Sequence, residues 1–551
     1  MPPIDLSRRQ ALVGLSAAAG ATAWSVPAQA GPPVLSGTEF DLTIARHDVN
    51  VTGRTRPATL VNGLLPAPIL RWRQGDTVTL RVTNHLREDT SIHWHGIRPP
   101  ADMDGVPGLS FPGIRPGETF TYRFQVPDAG TYWYHAHSGF QEQTGLYGAL
   151  IVDPIRGYPQ PFDRDYVVLL SDWSDESPRR ILSKLKAESH VYNLHQRTAG
   201  DFVRDVRRQG LGATLADRRD WAEMRMTPSD ILDVTAATYT YLVNGLTAEA
   251  NWTALFRPGE RVRLRLINAA AMTIFDVRIP NLTMTVVQAD GNPVEPVEVD
   301  ELRIGSAETY DVIVTPREDR AYAIFAQTQD RGGCAAATLA PRLGMRAVIP
   351  PLDPPPYRTM DDMGMNHGAH GHGHDHGGMA AEAGMPRLGV SVDNVALMTS
   401  DRTAEPGAGL GLEGRRALSY ADLRSAFPPP DRRPPEREIV LHLTGNMHRF
   451  IWGFDGLTHA EADVIRLRLN ERVRFVVINH TMMDHPIHLH GMWSELENGQ
   501  GDRRPFKHTI LVKPAERLSF LVTADLPGRW ALHCHLLYHM ASGMFREVLV
   551  S

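Results

Sequence analysis

One stretch of this chain is written three times: GDTVTLRVTNHL from Gly75, GERVRLRLINAA from Gly259 and NERVRFVVINHT from Asn470. Each alternates apolar and polar residues with Val, Leu and Ile on one side, the period-two pattern of a strand with one buried face. Each is followed by a second alternating segment: GETFTYRFQV from Gly117, AETYDVIVTP from Ala307 and AERLSFLVTA from Ala515. A strand pair repeated in this way marks one β unit used three times in succession. Short strands separated by Gly, Pro and Asn turns fit a Greek-key sandwich or barrel for each unit. The 551 residues leave room for three such units, each with its own core.

The copies are not equivalent. The first and third carry histidine clusters after the repeated strand, whereas the second reads INAAAMTIF where the third reads INHTMMDHPIHLHG. The middle copy is therefore expected to be scaffold. Between the first two copies the chain turns to charged residues and helix formers, as in PRRILSKLKAES and FVRDVRRQGLGATLADRRDWAEM, which predicts a helical insertion. Between the second and third it becomes rich in Pro, Gly, Met and His, a linker by composition. The expected division is a leader at 1–30, β units at 31–158, 236–349 and 436–551, the helical insertion and connection at 159–235, and the linker at 350–435.

The formal net charge of −6 comes from interspersed acids and bases, so nothing points to nucleic acid as a partner. The N-terminus pairs Arg8 and Arg9 before a short apolar stretch and ends in Ala28-Gln29-Ala30, the pattern of a twin-arginine export signal with its cleavage site. No other apolar run is long enough to span a bilayer, so no stable membrane insertion is expected after cleavage. The signal implies the twin-arginine export machinery as a partner. Two cysteines, Cys334 and Cys534, cannot make a disulfide framework.

The 24 histidines are the unusual count, and they cluster. Four motifs stand out: His93-Trp94-His95-Gly96, His135-Ala136-His137, His485-Pro486-Ile487-His488-Leu489-His490-Gly491, and His533-Cys534-His535 with His539 and Met544 beyond it. Residues two apart in a strand share a face, so each His-x-His presents two imidazoles together. Imidazole suits copper, zinc and iron alike, but a thiolate, two imidazoles and a thioether make the blue-copper set, available here as Cys534, His485, His539 and Met544. In His533-Cys534-His535 the sulfur points one way and both flanking imidazoles the other, so one tripeptide joins two metal sites. A structural zinc site needs four ligands and would leave most of these histidines unused.

With all four motifs present in order, the sequence resembles the multicopper oxidases. The twin-arginine signal, the Met/His tract and strings such as SDWSDESP and TPSDILDVTAATYTYLVNG resemble the periplasmic copper-resistance protein A group within that family. The resemblance implies three consecutive cupredoxin-like Greek-key β-sandwich domains and four copper ions. His93 and His488 match the type 2 ligands; His95, His135, His137, His490, His533 and His535 match the type 3 pair; His485, Cys534, His539 and Met544 match type 1. Asp104 matches an acid near the trinuclear site that assists proton delivery, and its sequence setting before Gly105 also suits a plain turn residue. Many relatives carry an acid just after the position of His539, whereas Met540, Ala541 and Ser542 occupy those places here.

The implied activity is oxidation of a reduced substrate, Cu(I) or a small aromatic reductant, coupled to reduction of O₂ to water in the periplasm. The alternatives are a laccase-like oxidase of phenols or aromatic amines, and a copper-sequestering protein whose turnover is incidental. The tract MDDMGMNHGAHGHGHDHGGM at 360–379 holds His367, His370, His372, His374 and His376 among methionines. It reads either as a polar linker or as a site for additional copper, since thioether sulfur favours Cu(I). Cys334, with no neighbouring histidines, is expected to be a buried, inert thiol.

Overall fold

The computed structural model describes residues 31–364, 386 and 388–551. The leader and most of the Met/His tract lie outside them. Six sheets form three successive pairs, and the repeated segments occupy the same place in each. Thr77–Asn84, Val262–Asn268 and Arg472–Asn479 each run parallel to an earlier strand, Glu39–Asn50, Arg164–Ser174 or Arg437–Asn446. Each also pairs antiparallel with the second repeated strand, Thr119–Gln125, Thr309–Val314 or Arg517–Thr523. These are cupredoxin-like β-sandwiches, and the molecule is mainly β.

In the first copy the sequence alternation becomes alternation of burial: Val78, Leu80 and Val82 face the core while the intervening threonines and Arg81 do not. The second copy departs from that half-buried expectation, because every residue of Val262–Asn268 is buried, Arg263 and Arg265 included. The reason is its position against the first unit. Arg265 binds Asp165 at 2.7 Å and donates to the Thr131 hydroxyl of the first unit at 2.8 Å, and Arg263 binds Asp311. Guanidinium groups are buried there because each finds a carboxylate.

Each repeated strand ends in an asparagine that works the same way three times. Asn84 donates its amide to the carbonyls of Glu88 and Ile114 and accepts from Leu86 N. Asn268 does so with Thr273, Ile304 and Ala270, and Asn479 with Met483, Val512 and Thr481. One side chain thus satisfies two backbone groups of the turn that leaves the strand and one carbonyl of a later segment. In the first and third copies that turn leads directly into the histidine strands.

The predicted helical insertion consists of Pro178–Ala187, Ala199–Gln209 and Leu211–Glu223. Thr198 and Asp201 close a capping box at the start of the second helix. Ile181, Leu185 and Trp221 dock into the apolar core shared by the second and third units, and the chain leaving the last helix tracks that surface. No helix among the described residues is long and apolar enough to cross a membrane. Cys334, expected to be buried, is only half-buried because it begins its strand Cys334–Ala340 at the sheet's end; burial still pushes its thiol up.

Candidate metal centres

The histidine motifs lie on neighbouring strands of one sheet in the first unit and one sheet in the third. His93–His95 pairs antiparallel with Gly130–His135, which sets His93 opposite His135. His485–Leu489 pairs with Gly528–Cys534, which sets His488 opposite His533 and Ile487 opposite Cys534. The two strand pairs come together, and the rings of His93 and His490 come within 4.0 Å between centroids. The expected eight imidazoles therefore converge between two units separated by more than three hundred residues of chain.

What makes the cluster a binding site is the direction of its nitrogens. His93 donates Nδ1–H to the Asp104 carbonyl at 2.8 Å and His488 donates to the His508 carbonyl at 2.6 Å. Their Nε2 atoms are buried with no partner among the described residues. His135 gives Nδ1–H to the Ala136 carbonyl at 3.0 Å, with Glu142 Oε2 2.6 Å from the same nitrogen, His490 to Asp104 Oδ2 at 2.8 Å, His533 to the Cys534 carbonyl at 3.0 Å and His535 to Ser306 Oγ at 3.3 Å. Each of these is thereby fixed with Nε2 free. His95 is reversed: its Nε2 meets Thr509 Oγ1 at 3.1 Å and His508 Nδ1 at 3.2 Å, leaving Nδ1 buried and unpartnered.

The free nitrogens group as a metal would require. Those of His137, His490 and His533 come together, with Nε2 separations from His533 of 3.4 Å and 3.1 Å. His135 and His535 meet at 3.4 Å beside His95. His93 and His488 offer the remaining pair. Burial, with repulsion from neighbouring imidazoles, pushes His533 down to about 3 and His95, His135, His137, His488, His490 and His535 well below their ordinary value. Neutral nitrogens packed lone pair against lone pair fit a set of cations in their midst.

On the other face of Gly528–Cys534 lies a second group. Cys534 Sγ is 3.5 Å from His485 Nδ1 and 3.8 Å from His539 Nδ1, and the two nitrogens are 3.2 Å apart. Thr481 Oγ1 holds His485 Nε2 at 2.7 Å and Asp233 Oδ2 holds His539 Nε2 at 2.8 Å, so both Nδ1 atoms face the sulfur. Trp452 stacks on His539 at 3.9 Å. Met544 is fully buried, its carbonyl accepting from Cys534 N and its own N–H reaching the His539 carbonyl, both at 3.1 Å. Burial pushes the Cys534 thiol up, so a thiolate here needs a bound cation.

Asp104 lies against the cluster through His490 Nδ1, and Met540 occupies the position after His539. Five contributors were not anticipated: Asp233, Thr481, Glu142, Ser306 and His508. Asp233 lies on the chain leaving the helical insertion and Ser306 in the middle copy, so that copy supplies more than scaffold. The one sequence signal available was an acid, Glu142, inside the buried run Gln141-Glu142-Gln143. The five histidines of the Met/His tract lie outside the described residues.

Multicopper oxidase family models match residues 43–156, 164–341 and 432–551, one for each repeated unit. The chain belongs to the multicopper oxidases, and it is an oxidoreductase whose cofactor is copper. It is 52% identical to a copper resistance protein A homolog of Pseudomonas syringae pv. tomato over the full length of both chains. It is also 52% identical to copper resistance protein A of Escherichia coli, over 99% of each. Among solved structures, the laccase of Botrytis aclada superposes with a TM-score of 0.65 at 22% identity, covering 94% of this chain and 88% of that one. At that identity the likeness is one of fold.

Proposed function

We propose that this protein is a periplasmic copper-resistance oxidase that oxidises Cu(I) and reduces O₂: four Cu(I), one O₂ and four protons give four Cu(II) and two waters. The observation that carries it is the strand ending in Cys534, whose sulfur meets His485 and His539 while its flanking imidazoles meet the other histidine pairs. In this reading His485, Cys534, His539 and Met544 hold type 1 copper, and His93 and His488 hold type 2. His137, His490 and His533 hold one type 3 ion and His95, His135 and His535 the other. Bound copper supplies the one-electron and oxygen chemistry; the chain supplies geometry, charge and dryness.

Within that division of labour, Cys534 and its neighbours join the two centres covalently through one tripeptide. Asp233 and Thr481 fix the type 1 imidazoles, and Asp104 keeps the proton of His490 on Nδ1. Cu(I) as substrate is supported by the names of the relatives and by the methionines and histidines at 360–379, a soft-donor tract suited to capture of that ion. The Arg8-Arg9 leader supports export to the periplasm by the twin-arginine machinery.

Copper-loaded protein should show an intense blue absorption and consume O₂ when given Cu(I), faster than with a simple phenol. Cys534→Ser should abolish both the colour and the consumption. Blue absorption that survives the substitution refutes the type 1 assignment, and a preference for the phenol replaces Cu(I) with an aromatic reductant.

A further inference from the structure

The turn between the second histidine motif and the strand Tyr147–Asp153 contains Gln141-Glu142-Gln143, and its three side chains do different things. Gln141 accepts from Thr90 Oγ1 at 2.6 Å and donates to the Asp89 carbonyl at 2.9 Å. Gln143 accepts from the Tyr239 hydroxyl and donates toward Asp172 at 3.4 Å. Both amides tie the turn to its surroundings. Backbone bonds from Gly145 N to the Glu142 carbonyl and from Leu146 N to the Gln141 carbonyl close the turn itself. Glu142 takes no part in either task with its side chain. It is buried and puts Oε2 2.6 Å from His135 Nδ1, while Oε1 has no partner among the described residues.

The geometry points to Glu142 as a positioning residue for the type 3 copper, one whose carboxyl group stands 2.6 Å behind His135 Nδ1 and so fixes and strengthens its Nε2 as a donor. The inference rests on the reading of the histidine cluster as a copper centre. Three observations carry it. The Nδ1–H of His135 already has a neutral acceptor, the Ala136 carbonyl at 3.0 Å, so the carboxylate adds charge more than it adds a hydrogen bond. The residue is an acid flanked by two glutamines, and a third glutamine would give a purely structural bond without the cost of burying a charge. Finally, Asp104 stands in the same relation to His490 at 2.8 Å.

His135 and His490 belong to different triads, so each of the two type 3 positions has one imidazole backed by a carboxylate. A carboxylate behind a ligating imidazole raises its basicity and holds its orientation. Burial pushes the Glu142 carboxyl up in the metal-free pocket, and cations held by the six surrounding imidazoles would favour its ionised form.

The test compares wild type with Glu142→Gln, which keeps shape and an acceptor oxygen, and with Gln143→Ala, which loosens the same turn without touching a ligand. All three are loaded with copper, titrated against a copper chelator and monitored by visible absorption and electron paramagnetic resonance. Glu142→Gln should keep the blue type 1 absorption yet hold type 3 copper about 10- to 100-fold more weakly. Its normally silent type 3 pair should also give the signal of uncoupled Cu(II). Gln143→Ala should lower thermal stability and leave both copper signatures unchanged. A Glu142→Gln protein with wild-type chelator competition and spectrum overturns the role of Glu142, as does one that loses type 1 and type 3 copper together. A wild type with no blue absorption and no coupled pair overturns the copper reading itself.

Discussion

At the level of single residues, the chemistry depends on which nitrogen of each imidazole carries the proton. Carbonyls, hydroxyls and carboxylates decide this by taking one N–H and leaving the other nitrogen to the metal. Asp233 is the acceptor for His539. A negative charge close to the proposed type 1 ligands would favour Cu(II) over Cu(I), so Asp233→Asn, which keeps an acceptor and removes the charge, should raise the potential of that site. The scale is tens of millivolts, where about 59 mV corresponds to a tenfold shift of a one-electron equilibrium. A redox titration of the blue absorption measures it, and an unchanged or lowered potential would rule out an electrostatic role for Asp233.

At the level of elements, the repeated asparagine explains how one β unit can be scaffold in one place and carry ligands in another. Asn84, Asn268 and Asn479 fix the same turn, and the segment beyond each turn is free to differ. Removing such an amide leaves buried backbone groups unpaired at about 1–3 kcal/mol each. Asn268→Ala should therefore lower the urea midpoint while sparing the blue absorption. Asn479→Ala should lower both, because Asn479 accepts from Thr481, whose hydroxyl holds His485. An Asn268→Ala protein within about 0.5 kcal/mol of wild type would mean the turn is held by its other contacts. The helical insertion shows a second use of an element: Ile181, Leu185 and Trp221 anchor it, and the chain that leaves it delivers Asp233.

For the molecule as a whole, the site exists because three units are clamped together. Lys507 is buried between Asp290 and Glu308 of the middle unit, 3.0 Å from each, and Asp290 also accepts from the backbone of His508 and Thr509. Those two residues then hold His95 of the first unit. Burying so many neutral imidazoles makes the copper-free protein sensitive to acid. The folded pKa values of His533 and His508 are lowered to about 3 and about 4 from the unfolded value of 6.5, so the unfolded chain binds protons first as pH falls. Their stabilising contribution is complete above about pH 6.5 and is lost as pH falls toward those folded values, by up to about 1.4 kcal/mol per pH unit per histidine. Thermal unfolding of copper-free protein should show a melting temperature that drops steadily from pH 7 to pH 5. A flat profile over that range would show that these imidazoles are already solvated in the copper-free fold.

The sequence by itself made the repeated β architecture legible and offered the candidate metal-binding motifs, because strand periodicity and His-x-His spacing are local properties. His93, His135, His488, His533 and Cys534 could be placed on strand faces without knowing where the strands would meet. The tertiary structure alone decided which nitrogen each histidine presents and which acids stand behind them. Glu142 is an ordinary turn residue until it meets His135, and Asp104, marked beforehand only by a family resemblance, gains its partner when it meets His490. Asp233 and Ser306 reach His539 and His535 across hundreds of residues of chain. Hydrogen bonds between sequence-distant groups leave no period to read, so the donor set was legible in one dimension and its electrostatic tuning was not.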